Sequence, residues 1–137
     1  MDKALNYLSL ARKGGLAELG EEPVGAISRT GKAYLIAVAA DASDHTWRRA
    51  KSFAAGTQQQ CVRLPFSKDE MGFAVGRTSL AIAAITDPAL ALALVTALGQ
   101  PEKHADALQI LSQKAARAKK RRSESKAHQR NIRKGKK

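Results

Sequence analysis

Gly31-Lys32-Ala33-Tyr34-Leu35-Ile36-Ala37-Val38-Ala39-Ala40-Asp41-Ala42-Ser43 decides how the rest of the chain is read. Ala33 to Ala39 is an apolar run that contains β-branched residues and shows no polar alternation, the pattern of a strand covered on both faces. Gly31-Lys32 and Asp41 bound it, and Asp41-Ala42-Ser43 then opens a helix with residues that cap exposed helix-start amides. A strand buried on both faces requires helices on both sides of its sheet.

Upstream, Ala4, Leu5, Leu8 and Ala11 recur at helical spacing until Gly14-Gly15 ends the pattern. A short Leu16-Ala17-Glu18-Leu19 segment leads to Gly20, and Glu21-Glu22-Pro23 starts a second helix that runs to about Thr30. Downstream, the third helix turns Trp47, Ala50, Phe53 and Ala54 inward and Arg48, Arg49 and Lys51 outward, ending at Gly56. Cys61-Val62-Arg63-Leu64 reads as a short strand, and Ser67-Lys68-Asp69-Glu70 as a capping box opening a helix that ends near Gly76. Leu80 to Ile85 is a second buried strand, and Asp87-Pro88 begins a helix carrying Leu90, Leu92, Leu94, Val95 and Leu98. This alternation predicts an α/β protein: a three-layer α/β/α sandwich with a small mixed sheet, at least partly parallel.

The 137 residues suffice for one core, built from Ala, Leu, Ile and Val because only 4% of residues are aromatic. The net charge of +12 is unevenly placed. From Met1 to Leu111, 12 Lys and Arg face 11 Asp and Glu, a net of +1; from Ser112 to Lys137, 12 face one, a net of +11. The expected organisation is therefore a domain over 1–98, a linker or short helix over 99–113 that includes Ala105, Leu108 and Leu111, and a basic tail over 114–137. Apolar residues are so scarce in that tail that it is expected to be disordered when free. The apolar stretches are too short for a membrane span, the start lacks a secretory pattern, and the single Cys61 forms no internal disulfide, which together predict a soluble cytoplasmic protein.

Catalytic candidates are few. His45, His104 and His128 lie far apart in sequence and no nucleophile and base stand in a recognisable pattern. Asp41, Asp44 and His45 suit helix capping and surface roles better than metal ligation, and Cys61 on a strand suits a small buried hydrophobe. Gly14-Gly15 and Gly20 match no nucleotide fingerprint and serve either chain turning or close approach to a nucleic-acid backbone. Glu21 and Glu22 are either helix-dipole partners or acceptors for guanine N–H edges. Lys119-Lys120-Arg121-Arg122, then Lys126, Arg130, Arg133, Lys134, Lys136 and Lys137, form either a solubilising appendage or a phosphate-binding tail, and the near absence of apolar residues favours phosphate over a membrane surface.

Taken in order, Leu8-Ser9-Leu10-Ala11-Arg12-Lys13-Gly14-Gly15, Gly20-Glu21-Glu22-Pro23-Val24, Gly31-Lys32-Ala33, Ala40-Asp41-Ala42-Ser43, Met71-Gly72-Phe73-Ala74-Val75-Gly76-Arg77 and Ala84-Ile85-Thr86-Asp87 resemble one family over residues 4 to 98. It is the kink-turn-binding ribosomal-protein superfamily of archaeal large-subunit "seven-Ae" and "thirty-e" type, in its bacterial YlxQ-type branch. The resemblance implies an α/β/α sandwich that holds RNA with the loop opening the second helix and the loop before the last strand. Carried over, these are Gly20, Glu21 and Glu22, and Gly76, Arg77, Thr78 and Ser79, with Lys13 and Gly14 before them. The Asn-Glu pair of kink-turn readers corresponds to Glu21-Glu22, and the lysine one turn on falls on Gly25 or Ala26. The expectation is a monomeric, non-catalytic protein without cofactor, metal, membrane or small-molecule substrate. Its expected partner is a structured RNA, ribosomal or ribosome-associated, and Lys119, Lys120, Arg121 and Arg122 add phosphate contacts. The alternative is a ribosome-associated interaction or assembly factor using the same fold as a scaffold.

Overall fold

The structure, a computed structural model, describes the backbone of residues 1–135 and the side chains of residues 1–126. Lys136 and Lys137, counted with the basic tail, lie outside the described residues. In chain order the elements are α1 (Lys3–Lys13), β1 (Ala17–Leu19), α2 (Glu21–Arg29), β2 (Leu35–Val38), α3 (Asp44–Ala54), β3 (Gln60–Arg63), α4 (Lys68–Ala74), β4 (Ile82–Ile85), α5 (Pro88–Ala97) and α6 (Ala105–Gly135).

The strands form one mixed sheet in the order β1-β4-β2-β3. β2 and β3 are parallel, with Leu35 opposite Gln60, whereas β4 runs antiparallel to both neighbours, with Ile82 opposite Val38 and Ile85 opposite Ala17. Every residue of the two central strands, β2 and β4, is buried, as their uninterrupted apolar runs require. α2 packs against α3 in one helical layer, and α1, α5 and α6 pack side by side in the other. This is the α/β/α architecture that the strand and helix alternation predicts. The capping box is also present: Ser67 Oγ accepts from the Glu70 amide at 3.0 Å while Glu70 Oε1 accepts from the Ser67 amide at 3.0 Å.

Two regions differ from the sequence reading. Residues 17–19, read as part of a connector, form an edge strand whose Glu18 pairs with Ala84, and the Thr86 amide extends this pairing by donating to Leu16 O at 2.8 Å. Three residues are too few to show a periodicity. At the other end, the boundary expected at residue 98 falls inside the packed unit. Ala107 and Leu111 of α6 are buried, Leu111 to 1% exposure, and Ala115 and Ala118 continue that stripe half-buried. Residues 114–135, expected to belong to a tail disordered when free, continue α6 as helix to Gly135. Scarce apolar residues argue against a core but not against a helix that already has a nucleus. The docked turns of α6 supply the costly first turn, and the Ala, Lys, Arg, Gln and Glu residues that follow are strong helix formers.

Strand direction gives the sheet two distinct ends. β1, β2 and β3 finish, and β4 begins, at what we call the upper end, where α2, α3 and α4 start. At the lower end α1, α2 and α3 finish and the strands that follow them begin. α6 starts near the upper end, beside Leu64 and Pro65, and descends to the lower end, where Lys114 shares a hollow with Gly31, Tyr34 and Gln59.

Candidate nucleic-acid interface

At the upper end Gly20 adopts φ 98°, and its amide donates to Ile82 O at 3.0 Å, so the β1–β4 pairing carries directly into the N-cap of α2. This backbone conformation favours glycine. The two glutamates that follow are not equivalent. Glu21 is half-buried; its Oε2 lies 3.9 Å from Arg49 Nε, and its Oε1 is buried without a hydrogen-bond partner. Arg49 in turn sits over the Phe53 ring, 5.4 Å from its centroid. Glu21 is thus tied into the α2–α3 layer, whereas Glu22 is exposed and is the carboxylate that an approaching ligand meets. Gly25 is buried beneath Phe53, where an added Cβ would lie 3.1 Å from Cζ, so that position has no room for a lysine side chain; Ala26 is exposed.

The second loop lies beside the first because β4 begins where β1 ends. Gly76, with φ 76°, turns the chain, and Arg77, Thr78 and Ser79 are all exposed. The loop is clamped onto α4 by the Arg77 amide donating to Gly72 O at 2.8 Å and the Leu80 amide donating to Lys68 O at 2.9 Å. A Cβ at Gly72 would stand 2.7 Å from Ser79 N and 2.8 Å from Arg77 O, so the loop can approach this closely only over a glycine. Asp41 completes the cluster of loops, its Oδ1 accepting from the Lys68 amide at 2.8 Å.

The structure therefore brings together Gly20, Glu21, Glu22, Arg77, Thr78 and Ser79. It does not bring the remaining sequence candidates to the same place. Lys13 and Gly14 end α1 at the lower end, separated from Gly20 by β1, roughly 10 Å of extended chain. Lys119, Lys120, Arg121 and Arg122 are exposed on α6 beyond Lys114, with Lys120 paired to Glu124 at 4.0 Å. At 1.5 Å per residue Arg122 stands about 26 Å along α6 from Ala105. The residues that the sequence offers for RNA contact divide between two ends of the sheet.

Charge divides in the same way. Glu21, Glu22, Asp41, Asp44, Asp69 and Glu70 gather where α2, α3 and α4 begin, against Lys68, Arg77, Arg63 at the end of β3, and Arg49 beside Glu21. Arg12, Lys13, Arg29, Lys32 and Lys51 gather where α1, α2 and α3 finish. Counted along the chain these charges cancel, so the separation stays hidden until the strand directions are known.

A hollow of about 430 Å³ on the β3 edge is lined by Trp47, Cys61, Arg63, Lys103 and His104 among others. Arg63 lies 4.7 Å over the Trp47 ring, and Lys51 lies 5.4 Å from the same ring. Arg63 Nε and Nη2 are buried without hydrogen-bond partners, so stacking on the indole is what holds the guanidinium. Burial pushes the Cys61 thiol up to about 11, against the pull of Lys51 and Arg63, which leaves it protonated at neutral pH. Burial and the Lys103 charge lower the His104 pKa. Among the described residues no cluster of potential metal ligands occurs, and no helix is long and apolar enough to cross a membrane.

No protein-family model matches this chain, and no curated protein matches it significantly. Solved structures do. A protein of unknown function from Bacillus halodurans superposes with a TM-score of 0.67 at 21% identity, covering 72% of this chain and 99% of that one. The 15.5-kDa RNA-binding protein of Giardia lamblia superposes with a TM-score of 0.60 at 21% identity, covering 74% of this chain and 86% of that one. These likenesses establish the fold that the three share.

Proposed function

We propose that this chain is a non-catalytic RNA-binding protein that recognises a structured, kink-turn-like RNA, ribosomal or ribosome-associated, through the paired loops Gly20–Glu22 and Arg77–Ser79. The observation that carries this reading is the construction of the loop pair: two exposed loops set side by side by β1–β4 pairing and held by the Gly20–Ile82, Arg77–Gly72 and Leu80–Lys68 backbone hydrogen bonds, which the conformation of Gly20 and the missing Cβ of Gly72 permit. The fold shared with an RNA-binding protein supports it. Glu22 accepts hydrogen bonds from guanine N–H edges, and the Arg77 guanidinium takes a phosphate or stacks on an unpaired base. The protein works as a cytoplasmic monomer without cofactor, membrane or small-molecule substrate.

Binding of the full chain to a kinked RNA stem and to a plain duplex tests this. The wild type prefers the kinked stem. Glu22→Ala narrows that preference while changing stability by no more than about 0.5 kcal/mol, because the side chain is exposed. Equal wild-type affinity for both RNAs would refute the proposal. A second reading, a ribosome-associated assembly factor that uses the sandwich as a scaffold, is favoured by Phe73, which is 77% exposed on α4. On that reading Phe73→Ala leaves RNA affinity unchanged and abolishes a protein contact.

A further inference from the structure

The lower end carries more positive charge than helix stability asks for. Arg12 and Lys13 close α1, Arg29 closes α2, Lys32 follows it, and all four are exposed. One cation near a helix C-terminus offsets the negative end of its macrodipole. That accounts for about one charge per helix, and it does not account for α6, which carries Lys114, Arg117, Lys119, Lys120, Arg121 and Arg122 past this end from its middle rather than its terminus. Beyond Glu124, which pairs with Lys120 at 4.0 Å, little acid stands against them. Asp87 is committed to capping α5, accepting from the Leu90 amide at 2.9 Å, and Glu18 is half-buried in β1. Among the described residues Arg12, Lys13, Arg29 and Lys32 form no salt bridge.

The position of these cations is built, not incidental. Gln59 is buried to 7% exposure; its Oε1 accepts from the Ala33 amide at 2.9 Å, and its Nε2 donates to Ser28 O at 3.1 Å. One side chain thereby grips both sides of the Arg29–Lys32 turn and pins it beneath β3. Lys114 lies beside that turn, lining the same hollow as Gly31, Tyr34, Thr57 and Gln59. Arg12 and Lys13 lie at the start of β1, two strand positions from β2 and so roughly 10 Å across the same end.

We infer that Arg12, Lys13, Arg29, Lys32, Lys114 and Arg117, continued by Lys119–Arg122, form a second RNA surface that takes the phosphate backbone of a duplex, so that one molecule joins two RNA segments. Leu10, 53% exposed near the end of α1, is the large exposed apolar side chain beside these cations, too little for membrane insertion, and exposed cations contact phosphates without reading bases. An RNA seated on the upper loops faces the opposite way. The two-segment part rests on the function proposed above; the duplex surface stands without it.

The test uses the full chain and the combined variant Arg12→Ser, Lys13→Ser, Arg29→Ser and Lys32→Ser, whose folding is checked by its thermal transition. A plain RNA duplex is the probe. The variant should bind it at least tenfold more weakly, and the slope of log K against log salt should flatten by about 3, since each lost phosphate contact removes about 0.7 to 0.9. Glu22→Ala should leave duplex binding unchanged. The charge-keeping pair Arg29→Lys and Lys32→Arg should bind like wild type, which separates charge from folding. Wild-type protein on a tethered duplex should retain labelled kinked RNA, and the four-fold variant should not. Unchanged duplex affinity and slope in the four-fold variant would overturn the inference. So would loss of binding to vesicles containing phosphatidylglycerol with duplex binding intact, which would assign the surface to a membrane. If duplex binding behaves as expected but wild type shows no preference for kinked RNA, the lower surface stands and the upper-loop function fails.

Discussion

Gly72→Ala pits helix propensity against loop packing, and the structure says which wins. Alanine in place of a glycine inside a helix gains about 1 kcal/mol. Here the new methyl would meet Ser79 N at 2.7 Å and both Arg77 O and Ser79 Cα at 2.8 Å, all backbone atoms. Ordinary contact begins at 3.4 Å, so the loop must retreat by about 0.7 Å. It cannot do so freely, because the Arg77–Gly72 and Leu80–Lys68 hydrogen bonds hold it. Overpacking of this kind costs about 1–3 kcal/mol, and a weakened hydrogen bond costs about 1 more. Set against the propensity gain, the net is a loss of about 2 kcal/mol. In urea unfolding the midpoint should fall by roughly 1 M with an unchanged slope, and the preference for kinked over plain RNA should narrow because Arg77–Ser79 has moved. Gly25→Ala is the comparator. Its methyl meets only the Phe53 ring, at 3.1 and 3.2 Å, and a half-buried ring can tilt, so its stability should stay near wild type. A Gly72→Ala protein as stable as wild type, with its RNA preference intact, would refute the clamp.

Leu111→Ala should cost about 2–5 kcal/mol in thermal or urea unfolding, because Leu111 is 1% exposed where α6 joins the core; an unchanged midpoint would show that α6 is not docked. Truncation after Gln113 keeps Ala107 and Leu111 but removes all 12 basic residues beyond Leu111, so the protein should stay folded while the salt slope of RNA binding flattens by roughly 4 to 5 if six phosphate contacts are lost. A slope unaltered by truncation would leave the basic helix a solubilising appendage. Cys61, with its thiol pushed up to about 11, should react slowly with iodoacetamide at pH 8 and accelerate as the pH approaches 11; rapid labelling at pH 8 would contradict its burial.

What the sequence revealed was whatever a local pattern can carry. β2 and β4 announced themselves because both faces of each are buried, and Ser67–Glu70 announced α4 because a capping box is a contact between residues three apart. β1 was silent, since three residues borrow their strand character from β4. Arg49 faces outward as its place on α3 predicts; its contact with Phe53, one turn on, lies within α3, whereas its contact with Glu21 depends on α2 lying alongside, which no spacing within α3 reveals. Trp47 turns inward as its place on α3 predicts and packs half-buried against the core at the β3 edge, but its cover by Arg63 and Lys51 was not legible. Both upper loops were legible through their resemblance to a family. Their separation from Lys13 and from Lys119–Arg122 was not, because it follows from strand direction and from a helix that continues where apolar content stops.

The sorting of charge between the two ends makes ionic strength a probe of which end an RNA uses. Glu21, Glu22, Asp41, Asp44, Asp69 and Glu70 surround the upper loops, so a phosphate approaching there is repelled, and recognition must come from short-range hydrogen bonding and shape. The lower end attracts any phosphate. Screening shortens both effects, to about 10 Å at 0.1 M salt: at the lower end it removes attraction alone, whereas at the upper end it relieves the carboxylate repulsion while weakening the Arg77 contact to phosphate. Raising salt should therefore weaken plain-duplex binding steeply, with a slope of about 0.7 to 0.9 per contact, while weakening upper-end binding of a short kinked RNA much less. The ratio of the two affinities should rise with salt even as both affinities fall. Titrating each RNA with the full chain across a salt series measures it directly. A ratio that stays constant would mean that both RNAs use the same cations, and a ratio that falls would mean that kinked RNA makes more phosphate contacts than the duplex. Either result would place RNA recognition at the basic end and leave the acidic loops without a nucleic-acid role.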